Sequence, residues 1–137
     1  MYLKTVNKEL AIKLKELGFD WPTISYYHPS YDLCHDRLGY SDAFKGPEYF
    51  MHYNSKKWAN GYYSAPTLEL AKQWFREVKN IVVVPLQNAS GWWCVLEKTG
   101  GTFISESLDD GPNEAGEWDS YEEALEAGLL EACNLVK

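Results

Sequence analysis

The sequence predicts an α+β fold: a three-stranded antiparallel sheet with two helices packed on one face. Three observations carry that reading. Residues 81–86, 91–96 and 102–105 are strand-like runs separated by turn residues. Residues 66–79 and 120–136, which flank them, repeat apolar side chains every three or four positions. Ser120-Tyr-Glu-Glu123 has the form of a capping box, a sequence marker of a helix start. The 137 residues are the length of one ordinary domain, and residues 1–137 are read as one.

Taken in order, the first element is a helix over residues 6–17. Thr5 or Asn7 caps it, and Val6, Leu10, Leu14 and Leu17 form its apolar stripe. Gly18 suits the left-handed position after its end, and Phe19 supplies the apolar contact that follows. Residues 23–27 after Pro22 read as a short strand. Residues 28–61 then lose all periodicity to Pro29, Pro47, Gly39, Gly46 and Gly61. This irregular insertion is not hydrophilic filler, because residues 26–63 hold eight of the ten tyrosines and all three histidines. A long loop with so many rings is expected to pack down and to carry function.

Pro66 suits the first turn of the next helix, whose buried face is Leu70, Ala71, Trp74, Phe75 and Val78. Asn80 ends it. In the strand that follows, Pro85 predicts an edge or terminal position, since proline cannot donate to a ladder. Trp92 and Trp93 are neighbours on the second strand and point to opposite faces. Thr99-Gly-Gly101 marks the turn into the third strand, and residues 108–119 form an acidic Gly/Pro loop. The last helix lines up Leu125, Leu129, Cys133 and Val136, backed by Ala132.

Charge is distributed unevenly. Residues 99–136 contain ten carboxylates and no Lys or Arg, while residues 1–98 hold 12 basic and 10 acidic side chains. The α-β-β-β-α order of residues 66–136 is that of a double-stranded-RNA-binding domain, which needs cations at the start of its last helix. Here that helix begins with Glu122 and Glu123 after Glu117 and Asp119. Phosphate contact dominates nucleic-acid affinity, so the sign of this charge excludes nucleic acid as a partner of this face. No apolar run approaches the 18 residues or so of a membrane span, and the start of the chain has no apolar leader, so no membrane partner is expected. Three scattered cysteines, Cys34, Cys94 and Cys133, argue for a reducing cytoplasm over a disulfide framework, with Cys94 and Cys133 as core thiols.

Three blocks carry a resemblance. Ala11-Ile-Lys-Leu-Lys-Glu-Leu-Gly-Phe19, residues 64–81 and residues 120–132 resemble, in that order, the opening, central and closing signatures of small accessory proteins carried by bacteriophages and integrated elements of gut bacteria. The resemblance implies a protein working inside a bacterial host and directed at host or phage proteins. It implies no catalytic residue.

The residues themselves offer little chemistry. His28, Asp32, Cys34, His35 and Asp36 form the most ligand-like cluster, with His52 as a distant partner. Their spacing lacks the paired pattern of a zinc site, and Cys34 with a histidine lacks the orienting third group of a nucleophile–base pair. Residues 109–114 have oxygen ligands without the spacing of an EF-hand. No metal, cofactor or catalytic residue is therefore expected, and the chain is read as a non-enzyme. The expected function is binding of a protein partner with a basic surface, as an acidic inhibitor or nucleic-acid mimic. The contact residues expected for it are Tyr31, His35, Tyr62, Trp93, Trp118, Asp109, Asp110, Glu114 and Glu117. The alternative is a protein that binds or sequesters a small ligand in an aromatic pocket. The ring-rich segment also suits closure of a homodimer.

Overall fold

The structure is a computed structural model that describes residues 4–23, 25–27, 33–35, 63–98, 100, 102–106, 112–113 and 117–136, with backbone alone at 33–35 and 102–106. It has the α+β character expected. Its contacts fall into two compact units, Leu3–Thr67 and Leu68–Lys137.

The first unit opens with α1 (Lys8–Glu16). Asn7 is its cap: the side-chain oxygen accepts from the Leu10 amide at 2.9 Å. Thr5, the other candidate, forms an isolated bridge with Thr67. At the far end Phe19 N–H donates to Leu14 and Gly18 N–H to Lys15, with Gly18 at φ 93°. This double closure needs a residue tolerant of positive φ, which is why the helix stops at a glycine. Val6, Leu10, Ala11, Leu14 and Phe19 are fully buried. Leu17, at the helix end, is only half-buried.

Next, β1 (Ser25–Tyr27) pairs antiparallel with both β2 (Leu33–His35) and β3 (Tyr63–Ala65), in the order β2-β1-β3. This corrects the reading of residues 28–61 as wholly irregular and of the chain as having one sheet. β1 lies within the strand expected over residues 23–27, whereas β2 and β3, of three residues each, are too short to print an alternating pattern and are revealed by their pairing. The Tyr27 hydroxyl donates to the Val6 carbonyl at 2.7 Å, and the Lys15 ammonium stands 5.0 Å from the centre of the Tyr63 ring.

The second unit comprises α2 (Leu68–Val78), β4 (Ile81–Asn88), β5 (Gly91–Lys98), β6 (Thr102–Glu106) and α3 (Tyr121–Leu135). Helix α2 starts two residues later than expected. Pro66 lies outside it, with its carbonyl taken by the Val6 amide. Leu68, Ala71, Trp74 and Phe75 are buried, but Val78, expected with them, is 47% exposed where the helix ends before Asn80. Asn80 takes the left-handed conformation at φ 59° and turns the chain into β4.

β5 pairs antiparallel with β4 on one side and β6 on the other, with an irregularity at Leu96/Glu97. Trp92 directs its backbone away from β4, toward Trp118. Its cross-strand pair with Gln87 is therefore of the non-hydrogen-bonded kind, and so is the pair Pro85–Cys94 two residues on. Pro85 thus places its missing N–H on the outer side of β4, where the ladder loses nothing. No helix among the described residues is long and apolar enough to cross a membrane.

Candidate functional site

The site is built where the β4–β5 turn meets the start of α3. Asn88 makes the turn by accepting the Ser90 amide at 2.8 Å. Gly91 follows at φ 137°, and a side chain there would collide with the Trp118 carbonyl. Because no Cβ intervenes, Trp118 lies beside β5. Its carbonyl accepts from Trp92 at 2.8 Å and its amide donates to Trp92 at 2.9 Å. Asn113 ties the preceding loop down, giving its side-chain amide to Ser90 and Asp119 and its backbone amide to Glu117.

Ser120 then starts α3, with its hydroxyl oxygen accepting from the Glu123 amide at 3.1 Å. The expected return bond from the Glu123 carboxylate is not made among the described residues. Instead Glu123 lines a groove of about 390 Å³ with Glu126, Ala127 and Leu130 on the helix and Pro112 and Trp118 on the loop. The four helix positions follow the spacing i, i+3, i+4, i+7 and share one face. Trp92 and Trp118, paired across the bridge, point to the same side of the sheet. There Trp92 meets the Tyr121 ring edge-on at 5.4 Å between centroids. The groove combines an indole, an aliphatic floor and two carboxylates one turn apart, which suits a cation with an apolar stem.

A second polar cluster joins α2 to α3. The Tyr121 hydroxyl donates to Glu69 at 2.5 Å, and Lys72 contacts both, at 3.1 Å from Glu69 and 3.3 Å from the hydroxyl. Burial pushes the Glu69 carboxyl up, yet the bonds from Tyr121 and Lys72 outweigh it and hold the group below its ordinary value. Burial pushes Lys72 down, and its contacts with Glu69 and Tyr121 more than restore it, so it lies above its ordinary value. Burial and the bond to Glu69 raise Tyr121. A tyrosine held neutral and a lysine held charged by the same carboxylate describe a structural clasp, not an activated base or nucleophile.

Of the expected contact residues, Tyr31, Tyr62, Asp109, Asp110 and Glu114 lie outside the described residues, as do His28, Asp32, Asp36 and His52. His35 is placed by its backbone in β2, opposite Ser25. Trp118 lies in the groove, but the pleat turns Trp93 and Glu117 to the other face of the sheet. Both tryptophans of the Trp92-Trp93 pair are half-buried. Glu117 corrects the picture of a solvated acidic loop. It is 2% exposed, its Oε1 accepts from the Asn88 side-chain Nδ2 at 2.6 Å, and its buried Oε2 has no hydrogen-bond partner among the described residues. Sequence reasoning missed Pro112, Glu123, Glu126, Ala127 and Leu130 as site residues. The helical spacing from Glu123 was the signal available, hidden because the early glutamates also suit the helix dipole. Among the described residues, no group of three His, Cys, Asp or Glu is placed to hold a metal ion.

Compared with protein-family models, with curated proteins and with solved structures, the chain matches none of them.

Proposed function

We propose that this chain is a non-enzymatic accessory protein of a bacteriophage or mobile element that binds a basic protein partner inside the host cell. The observation that carries this reading is the groove in which Trp118 faces Glu123 and Glu126. The surrounding sequence strengthens it, since residues 99–136 contain ten carboxylates and no Lys or Arg. In this reading α2 and α3 cover one face of the β4-β5-β6 sheet, and α3 turns its acidic stripe outward beside Trp118. A one-signed surface steers oppositely charged proteins and suppresses like-charged ones, so the targets are basic surfaces, including those that hold nucleic acid. The protein then acts as an acidic inhibitor or nucleic-acid mimic.

The test is affinity capture from host lysate with two baits, the natural chain and Glu123→Lys/Glu126→Lys, at about 50 mM and about 500 mM NaCl. The expected result is a set of basic proteins held by the natural bait at low salt and lost at high salt or with the variant. Identical capture by both baits would sink the reading.

A further inference from the structure

We propose that the open edge of β4 takes a short, extended, acidic peptide segment of a partner as an added strand, held between β4 and α2. Among the described residues β4 is an outer strand of its sheet, paired with β5 alone. The ladder turns the backbone groups of Val82, Val84 and Leu86 toward β5, so those of Val83, Pro85 and Gln87 face outward. No hydrogen bond among the described residues uses that outer side. Val83 thus offers a donor and an acceptor, and Pro85 an acceptor, in the arrangement that a further strand completes. The edge is also one wall of a groove. About 190 Å³ of space is lined by residues 82–85 on one side and by Lys72 and Arg76 of α2 on the other. It shares no residue with the groove beside α3, so this inference stands or falls apart from the reading above.

Lys72 and Arg76 select the charge of the occupant. They lie four residues apart on one face of α2, about 6 Å along the helix axis. Alternate side chains of an added strand share a face and repeat every 6.6 Å or so, roughly the same interval. Two carboxylates at positions i and i+2 of that strand therefore match the two cations. Both cations already have contacts. Lys72 joins Glu69 and the Tyr121 hydroxyl, which occupy two of its three donors. Arg76 stands 3.7 Å from Glu77, and both side chains are about half exposed. Exposed pairs of that kind contribute little, so an incoming carboxylate displaces Glu77 at small cost. Other occupants fit less well. A nucleic acid answers the charge but has no alternating N–H and C=O for Val83. A second copy pairing β4 with β4 brings the cations of both copies to one edge, like against like. Pro85 interrupts the row of outward donors, which keeps the added strand short.

The experiment measures fluorescence anisotropy of a short labelled peptide alternating glutamate with valine, against the full chain at about 50 mM NaCl. Two further peptides carry N-methyl groups on one or the other alternate set of amides. In an added strand one set faces β4 and the other faces away. Methylation of one set is therefore expected to weaken binding about tenfold or more, and methylation of the other to leave it within about twofold. Glutamine in place of glutamate is expected to weaken the peptide about tenfold. Arg76→Gln is expected to weaken it about fivefold, whereas Lys79→Gln, which removes a cation of the same helical segment outside the groove, leaves it within about twofold. Circular dichroism melts confirm that both variants are folded. Equal effects of the two methylation sets show attachment by charge alone and overturn the inference. So do equal effects of Arg76→Gln and Lys79→Gln, or no binding of the unmethylated peptide. A dimer of the chain alone that competes with the peptide assigns the edge to a second copy and overturns it as well.

Discussion

Gly128 of α3 lies so close to Cys94 of β5 that an added Cβ would stand 2.7 Å from the cysteine Cβ and 2.8 Å from its sulfur, with Val83 Cγ1 at 2.9 Å. The helix meets the side chains of the sheet at this point with no side chain of its own between them. Two effects oppose each other in Gly128→Ala. Alanine favours the helix by up to about 1 kcal/mol, but overpacking costs about 1–3 kcal/mol. The Cys94 Cβ is fixed to the strand and cannot rotate away, so overpacking wins. The variant is expected to lose about 1–2 kcal/mol and to melt several degrees lower, read by calorimetry. A rise in melting temperature would contradict the close approach.

Gly91→Ala tests the seat of Trp118. Positive φ and collision with a backbone carbonyl act together, and the loss is expected to be about 3 kcal/mol or more. Hydrogen exchange locates it: the Trp92 and Trp118 amides, which bond across the bridge, should exchange much faster than those within β4 and β5. Unchanged protection at both would show that the bridge survives without the glycine.

Asn88→Ala removes the one described hydrogen bond to the buried Glu117 carboxylate. An uncompensated buried acceptor of this kind costs about 1–3 kcal/mol. Urea melts should show that loss. Adding Glu117→Gln to Asn88→Ala is expected to recover part of it, because a neutral amide is cheaper to bury than a carboxylate.

The Tyr121 clasp sets a pH window. Glu69 is lowered in the folded chain, so its contribution is full above the ordinary carboxylate range and is lost as pH falls through the lowered value. Tyr121 and Lys72 are raised, so theirs is full below their ordinary values and is lost as pH rises through the raised ones. Tyr121→Phe is expected to cost about 1 kcal/mol near neutral pH, with the deficit shrinking in acid as pH falls through the lowered Glu69 value. A deficit that does not shrink in acid would show that the tyrosine acts by packing alone.

Cys94 is fully buried, bonds the Ala124 carbonyl at 3.0 Å, and has its thiol pushed up to about 12 by that burial. Reagents attack the thiolate. At about pH 8 the folded chain should leave Cys94 unlabelled by iodoacetamide over hours, with full labelling in urea, read by peptide mass spectrometry. Rapid labelling without denaturant would show that α3 does not stay seated on β5.

Much of the second unit was legible from local chemistry. Each signal there is complete within a few residues: Ser120 before an apolar-periodic run, β-branched residues 81–84, and Pro85 disfavouring an interior strand. The first unit was half legible. Asn7 and Gly18 marked both ends of α1, whereas β2 carried no readable period. At the site, Trp118 was named from sequence. Its partners Glu126, Ala127 and Leu130 were not, because which face of a helix borders a loop depends on where that loop docks.

The sequence by itself determined the elements and the imbalance of charge, since helix caps, turn residues and formal charges act over one or two turns of chain. Only the tertiary structure decided what each carboxylate does. Glu117 and Glu123 lie six residues apart in one acidic stretch, yet one is buried against Asn88 and the other lines an open groove. That division follows from the pleat of the bridge at Trp118 and the missing Cβ of Gly91, a contact between residues far apart in the chain. No local pattern encodes it.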